Sequence, residues 1–295
     1  MGRGKGVRIT GLMPVYNALS AHYPFLEGIV LACEIVDEMV IQDGGSTDGT
    51  RETIEELAKC LPVPLRFVDS EHFAGEHWVS MDVGIEKALK TIDGGWVYEV
   101  QCDEFCPLQN RQKLLDAIEY ADQNGYNAIR HPMIDIIRWE QEGSYIYRNV
   151  RVFRWRPDVR SKWGGDSFYF EGQPEVRQGF TSHNLPPELD VDFHLRHLKW
   201  NFGGLDVAVQ AERHYTHYAI GAPDREHSYK WAQDVKAGKH QIQAKVPERI
   251  HPEVPEIYHG LIGLERYEVR PEVFEYARLL SERKDSDNAS KRAGL

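Results

Sequence analysis

The first hundred residues alternate between short apolar runs and segments whose apolar residues recur at helical spacing. Apolar runs near residues 7–13, 39–42, 65–68 and 96–100 predict four strands. Helical spacing between these runs is shown by Ile54, Leu57, Ala58 and Leu61, and later by Trp78, Met81, Ile85, Ala88 and Leu89. Because helices separate the strands, the strands should pair in parallel through right-handed crossovers. The pattern therefore predicts an α/β fold.

Each predicted strand ends in polar residues: Tyr16 and Asn17, then Asp43, Asp69 and Asp103. In an open α/β sheet, ligands bind at the carboxyl ends of the strands, where the strand order switches. A single aspartate there can simply cap the next helix, but two on neighbouring strand ends favour ligand binding. The turn after Asp43 lacks both the Gly-Lys-Ser/Thr of a phosphate loop and the G-x-G-x-x-G spacing of dinucleotide sites.

Three motifs together resemble those of family 2 glycosyltransferases of the GT-A fold. They are Met13-Pro-Val-Tyr-Asn17, Gln42-Asp-Gly-Gly-Ser-Thr-Asp-Gly-Thr50 and Gly95-Trp-Val-Tyr-Glu-Val-Gln-Cys-Asp-Glu104, the last resembling the D-x-D strand. The resemblance covers residues 7–125. It implies a Rossmann-like, mixed but mostly parallel central sheet with helices on both faces, followed by an elaborated C-terminal acceptor half.

The resemblance implies that Pro14, Tyr16 and Asp43 hold the base and ribose and that Asp103 binds the metal on the sugar diphosphate. Asn17, Arg66, Gln101 and Cys102 are also expected at the nucleoside diphosphate sugar, although Arg66 can instead belong to a salt-bridged face. Gln101 replaces the first aspartate of D-x-D; its amide can bind a ribose hydroxyl but is a poor ligand for a hard cation. Asp103 is expected to bind Mn²⁺ or Mg²⁺ together with a late histidine. His194 is the first choice and His197 its competitor, and either can instead be an ordinary structural histidine.

Transfer of a sugar to a hydroxyl requires a carboxylate that accepts the proton. Asp166 is the first candidate, because Gly164-Gly165-Asp166 can carry a carboxylate into a cleft, although such a sequence is also a common turn. Glu171 and Glu104 are the second and third candidates. Arginines at positions 148, 151, 154, 156 and 160 form either a salt-bridged face or a phosphate clamp.

Composition narrows the class of protein. The chain has 295 residues, 41% of them hydrophobic and 27% charged, which is ordinary for a globular protein. A formal charge of −11 argues against a general nucleic-acid surface. No apolar run approaches the ~20 residues of a membrane helix, and cytoplasmic residence is the default expectation. The four cysteines at positions 33, 60, 102 and 106 lie in or beside apolar segments, which favours buried thiols over disulfides.

The predicted organisation is a nucleotide-sugar-binding half (1–125), an acceptor and catalytic half of the same compact domain (126–283), and a disordered polar tail (284–295). In the second half we expect a Gly-rich loop at 158–171, a strand at 190–197, and helices at 207–219, 224–237 and 271–283.

The predicted activity is transfer of a sugar from a nucleoside diphosphate sugar to a saccharide, lipid-linked or other hydroxyl acceptor. Metal assistance and inversion follow from the resemblance alone. Two alternatives stay open: a sugar nucleotidyltransferase, and a non-catalytic nucleotide-sugar-binding protein.

Overall fold

The strands and helices are taken from a computed structural model. It describes residues 6–70, 77–137, 139–162, 167–173, 177–178, 181–182, 184–199, 248–262, 264 and 267–292. Its strands are β1 (Ile9–Val15), β2 (Glu38–Asp43), β3 (Leu65–Asp69), β4 (Trp96–Glu99), β5 (Glu104–Phe105), β6 (Ala128–Ile137), β7 (Gln141–Arg154), β8 (Val159–Lys162), β9 (Ser167–Phe170), β10 (Arg177–Gln178), β11 (Thr181–Ser182), β12 (Glu188–Asp190) and β13 (Leu195–Lys199). Its helices are α1 (Phe25–Ala32), α2 (Thr50–Ala58), α3 (His77–Leu89), α4 (Leu108–Gln123), α5 (Glu256–His259) and α6 (Pro271–Arg292).

The central sheet has the strand order β3-β2-β1-β4-β7-β6-β13-β5, with β12 also paired to β6. Strands β1 to β4 are parallel, as their apolar runs and intervening helices predict. Antiparallel pairing begins where β4 meets β7 and continues between β7 and β6. The prediction of a mixed, mostly parallel α/β sheet is therefore confirmed.

The order of the first four strands creates a switch point. From β1 the chain steps outward to β2 and β3, and then crosses back to place β4 on the opposite side of β1. The carboxyl ends of β1, β2 and β4 consequently border one crevice, which is where open α/β sheets bind ligands.

Hydrophobic clusters cover both faces of this sheet. On one face, α3 packs through Ile85 and Leu89 together with residues of β8 and β9. The larger cluster on the other face includes residues of α1, α2 and α4, and also of α6 through Val273 and Leu280. The first and last parts of the chain therefore contribute to the same core.

The second half departs from two sequence predictions. Instead of a Gly-rich loop at 158–171, the described residues form a hairpin in which Val159 pairs with Phe170 and Lys162 with Ser167. The alternation of buried and half-buried residues along β8 explains why these positions form a strand. The predicted strand at 190–197 is divided between β12 and β13.

The predicted disordered tail is also corrected, because α6 continues as far as Arg292. The polar composition of the tail suggests disorder. However, the first part of α6 buries apolar residues, and Lys284 Nζ donates a hydrogen bond to the Cys33 carbonyl at 2.6 Å. The helices predicted at 207–219 and 224–237 lie outside the described residues.

Two further observations concern composition. The four cysteines are free, three of them buried and Cys60 half-buried, which agrees with their interpretation as thiols. No helix in the described part of the chain is long and apolar enough to span a bilayer.

Candidate active site

The end of β1 and the turn after β2 are joined by hydrogen bonds. The Asn17 amide donates to Ser46 Oγ at 2.9 Å, and the Thr47 amide donates to Asn17 Oδ1 at 2.8 Å. Asn17 has a φ of 46°, a left-handed conformation that asparagine tolerates better than most residues. The segment that carries Tyr16 and Asn17 is thus fixed against the turn that carries Asp43.

Asp43 is held rigidly at the carboxyl end of β2, with only 2% of its surface exposed. Its Oδ1 accepts a hydrogen bond from the Ser46 amide at 2.9 Å, and its Oδ2 lies 3.5 Å from Arg51 Nη1. Arg51 also pairs with Asp69, the residue beside Asp43 in the register of β2 and β3. Because each carboxylate oxygen has a second lone pair, Asp43 can still accept a hydrogen bond from a ligand.

Asp48 ties the same two segments together from the helix side. It accepts hydrogen bonds from the Thr50 amide at 3.0 Å and from the Ser20 amide at 2.7 Å. Burial opposes ionisation of Asp48, but these hydrogen bonds outweigh it and lower its pKa. The N-cap of α2 is Gly49, so Asp48 accepts the hydrogen bond of the first helical residue from one position before the cap. Nearby, burial and the Asp48 charge raise the pKa of Tyr16.

The loop between β4 and β5 carries Gln101, Cys102 and Asp103. It is anchored through its backbone: the Val100 amide donates to the Leu12 carbonyl at 2.9 Å, and the Leu198 amide donates to the Asp103 carbonyl at 2.8 Å. The Cys102 thiol is buried 4.0 Å from the Pro14 carbonyl, and burial raises its pKa well above the ordinary range. Cys102 can therefore meet a ligand through its backbone rather than its thiol.

Asp103 lies beside a histidine that is itself held by a second carboxylate. His197 Nε2 is 3.4 Å from Asp103 Oδ2, and His197 Nδ1 is 3.1 Å from Asp135 Oδ1. Burial alone would lower the pKa of His197, but Asp103 and Asp135 outweigh it and raise the pKa to about 10. The two carboxylates thus hold His197 between them and favour its protonated form.

His194, the first choice for a metal ligand, faces another group. Its Nε2 lies 2.8 Å from Glu253 Oε2, and Glu253 also pairs with Arg196. The structure thus places His197 rather than His194 next to Asp103.

The residues around Asp103 do not by themselves complete a metal site. Among the described residues, no group of three or more histidines, cysteines, aspartates or glutamates is arranged to hold a metal ion. Asp103 offers carboxylate oxygens that suit a hard cation. Because Asp103 is not part of such a group, binding of a cation there would depend on further oxygens supplied by the ligand.

The three candidate bases have different surroundings. Asp166 lies outside the described residues. Glu171 follows β9, is exposed and pairs with Arg160. Glu104 is only 3% exposed, and both of its oxygens accept hydrogen bonds from Arg151 at 2.6 Å. Because its oxygens face this arginine inside the protein, the geometry does not favour Glu104 as a proton acceptor for a sugar hydroxyl.

The five arginines between positions 148 and 160 form ion pairs within the protein and do not gather at the crevice. The pairs are Arg148 with Asp190, Arg151 with Glu104 and Glu99, Arg154 with Asp122, Arg156 with Asp158, and Arg160 with Glu171. Arg66 donates to Thr91, which follows the end of α3, and so is directed away from Asp43 and Asp103. These contacts favour the interpretation as a salt-bridged face over a phosphate clamp.

Sequence analysis missed several residues that shape the site: Arg51, Glu99 and Asp135. Asp135 carries a detectable signal, because it interrupts the apolar strand Met133–Ile137 and a buried carboxylate must have a partner. Glu99 carries the same signal, because it interrupts the apolar run 96–100. Arg51 occupies a position in α2 at which a charged residue is unremarkable, so nothing in the sequence marks it.

Comparison with known proteins gives distant likenesses. No family model matches the chain. No curated protein matches it either. Among solved structures, S. aureus TarS 1–349 in complex with UDP-GlcNAc aligns with 98% of this chain and 92% of that chain, at 13% identity and a TM-score of 0.38. A longer structure of S. aureus TarS aligns with 44% of this chain, at 22% identity and a TM-score of 0.33. The alignment covers 22% of the length of that TarS chain.

A third likeness is to glucosyl-3-phosphoglycerate synthase from Mycobacterium tuberculosis, in complex with Mn²⁺, UDP and glucosyl-3-phosphoglycerate. It covers 44% of this chain and 45% of that chain, at 19% identity and a TM-score of 0.31.

Proposed function

We propose that this protein transfers a sugar from a nucleoside diphosphate sugar to an acceptor hydroxyl. The observation that carries the proposal is the convergence of three polar segments at the switch point of the sheet. They are Tyr16–Asn17 after β1, the turn 43–50 after β2, and the loop 100–103 after β4. Each is held by hydrogen bonds, so the crevice is pre-organised for an extended polar ligand.

Within this crevice, Pro14, Tyr16, Asn17 and Asp43 would bind the base and ribose, and the Gln101 amide would bind a ribose hydroxyl. Asp103 would lie at the diphosphate, with His197 orienting its carboxylate. A divalent cation bound there would offset the negative charge that develops on the leaving diphosphate. We keep Asp166 as the proposed proton acceptor and Glu171 as the alternative, and inversion stays a proposal drawn from the sequence resemblance.

The two alternative functions differ from this one in what they require. A sugar nucleotidyltransferase needs a basic Gly-rich loop at the end of the first strand, and the segment after β1 is Tyr16-Asn17-Ala18 instead. A non-catalytic nucleotide-sugar-binding protein is favoured by one observation, the neutral Gln101 in place of an aspartate.

The test begins with nucleotide binding. Calorimetry with UDP and GDP, each with Mn²⁺, should show that one of them binds, and Asp43→Ala should weaken that binding. Loss of a hydrogen bond to a charged group costs about 1.5–3 kcal/mol, or roughly 10- to 150-fold in Kd. The matched control is Asp93→Ala, whose exposed carboxylate pairs with Arg8 before β4 begins, at the opposite edge of the sheet.

Unchanged affinity in Asp43→Ala would remove Asp43 from the site, and absence of binding by the wild type would refute the proposal. Release of nucleoside diphosphate from a bound donor, measured with and without added acceptors, then separates a transferase from a binding protein.

A further inference from the structure

Three charged side chains are buried together beneath the loop that carries Asp103. Arg151 is 1% exposed, Glu99 0% and Glu104 3%. Arg151 Nε and Nη2 each donate to Glu104 at 2.6 Å, and Arg151 Nη1 lies 3.1 Å from Glu99 Oε2. One guanidinium thus binds two carboxylates, one of them through two parallel hydrogen bonds.

A β-bulge directs Arg151 toward these carboxylates. In the pairing of β6 with β7, Ile129 is opposite Val152 and Arg130 is opposite Val150, which leaves Arg151 as the extra residue. A bulge of this kind bends the strand and re-aims one side chain. Arg151 is therefore placed by a departure from regular pairing.

The two carboxylates stand at the two ends of the loop. Glu99 is the last residue of β4 and Glu104 is the first of β5, so residues 100–103 lie between them. By binding both, Arg151 fixes the span that the loop must cross. The backbone of the loop is also anchored from Val100 to Leu12 and from Asp103 to Leu198. Its side chains contact the Pro14 carbonyl through Cys102 and His197 through Asp103.

Stability alone gives little reason to bury this group. Desolvation of buried ions largely cancels their attraction, and apolar side chains of similar volume often replace them without loss of stability. Two carboxylates with one guanidinium also leave an excess of buried negative charge among the three. The arrangement does fix the position of a carboxylate. A planar guanidinium holds a carboxylate through two hydrogen bonds, which a lysine cannot do.

We propose that Arg151 is a positioning residue for the donor site, which sets the loop 100–103 so that Gln101 and Asp103 meet the nucleoside diphosphate sugar. This inference rests on the proposed function for the identity of the ligand. The position of the loop itself does not depend on that function and can be measured separately.

The main variant replaces the whole charged group by apolar residues: Arg151→Met, Glu99→Leu and Glu104→Leu together. We expect it to fold, with a urea midpoint close to that of the wild type. It should bind UDP or GDP with Mn²⁺ at least ~10-fold more weakly, because loss of even one hydrogen bond to a charged group costs roughly 10-fold in Kd. The control is Arg154→Met, which removes an arginine of the same strand whose partner, Asp122, lies in α4. Binding by this control should match the wild type.

A second variant, Arg151→Lys, keeps the charge but loses the paired hydrogen bonds. Amide hydrogen exchange should accelerate in residues 100–103 of this variant and stay unchanged in β1 and β2, whereas simple destabilisation would accelerate exchange in all three. Exchange needs no ligand, so it tests the inference even if the wild type binds neither nucleotide, a result that would refute the proposed function alone.

Wild-type affinity in the folded triple variant would overturn the inference. Should that variant not fold, unchanged exchange in residues 100–103 of Arg151→Lys would overturn it, and accelerated exchange confined to those residues would support it.

Discussion

Replacing Gly28 by alanine should disturb the loop that carries Asp103 through a single added methyl group. Gly28 lies inside α1, and a Cβ built on it would be 3.2 Å from the Cys102 carbonyl oxygen and 3.3 Å from Met13 Cε. Both distances are shorter than ordinary van der Waals contact between a methyl carbon and its neighbours. The Met13 side chain can rotate away, but the Cys102 oxygen belongs to the backbone and moves only with the loop.

Two opposing effects set the magnitude. Alanine in a helix interior is more stable than glycine by about 0.5–1 kcal/mol. Overpacking in a dense core costs about 1–3 kcal/mol. The Gly28→Ala variant should therefore range from unchanged stability to a loss of about 2 kcal/mol. Its nucleotide affinity should fall as well, because Asp103 directly follows the displaced Cys102.

Urea unfolding and calorimetry with UDP or GDP check both expectations. The stability difference between alanine and glycine in a helix is measured separately with Lys113→Ala and Lys113→Gly, since Lys113 is exposed in α4. The reasoning is refuted if Gly28→Ala is more stable than the wild type by the full difference between those two variants and binds nucleotide with unchanged affinity. That result would mean that α1 and the loop can move apart to accommodate the methyl group without any change in nucleotide binding.

Two further predictions concern Asp103 and Asp48. If Asp103 binds a cation together with the diphosphate, Mn²⁺ and nucleotide should bind cooperatively, and Asp103→Asn should abolish the coupling seen by calorimetry; full transfer activity in excess chelator would contradict it. Asp48→Ala should lower the free energy of unfolding by about 1–2 kcal/mol near pH 7, because it removes the acceptor of the Ser20 and Thr50 amides. Because the folded pKa of Asp48 is depressed, its stabilisation is present above the unfolded pKa of about 3.9 and is lost as pH falls through the folded value. The difference between variant and wild type should shrink over that range, and a constant difference in acid would show that its charge is not involved.

The first half of the fold could be predicted from sequence because its signals are local. Strands β1, β2 and β4 are almost wholly buried and mainly apolar, as expected for a parallel sheet covered on both faces, whereas β3 at the edge is mostly half-buried. Polar residues stand at or directly after the ends of these strands. The intervening helices fix parallel pairing, and parallel pairing brings the strand ends to one edge. Asn17 and Asp43 could therefore be placed together without knowledge of side-chain contacts.

The second half gave weaker signals. Gly164 and Gly165 suggest an extended loop at 158–171, although β8 before them and β9 after them pair as the two strands of a hairpin. At the C-terminus, polar residues suggested disorder, but an exposed helix needs only one apolar stripe and a few anchoring contacts to pack against α1. Neither the apolar stripe nor the anchoring contacts can be recognised from the amino-acid composition.

The choice between His194 and His197 shows what determines the site and could not be predicted. Successive residues of a strand face opposite sides, so Arg196 and His197 of β13 point in opposite directions, and His194 lies just before this strand. His194 and Arg196 both contact Glu253, whereas His197 lies opposite Glu104 and Asp135 in the pairing of β13. Which side faces Asp103 depends on the register of β13 with β5 and β6, two strands far from it in sequence. Arg151 is placed by a separate irregularity, the bulge in the pairing of β7 with β6. The chemistry of the loop 100–103 is therefore set by pairings that no local pattern encodes.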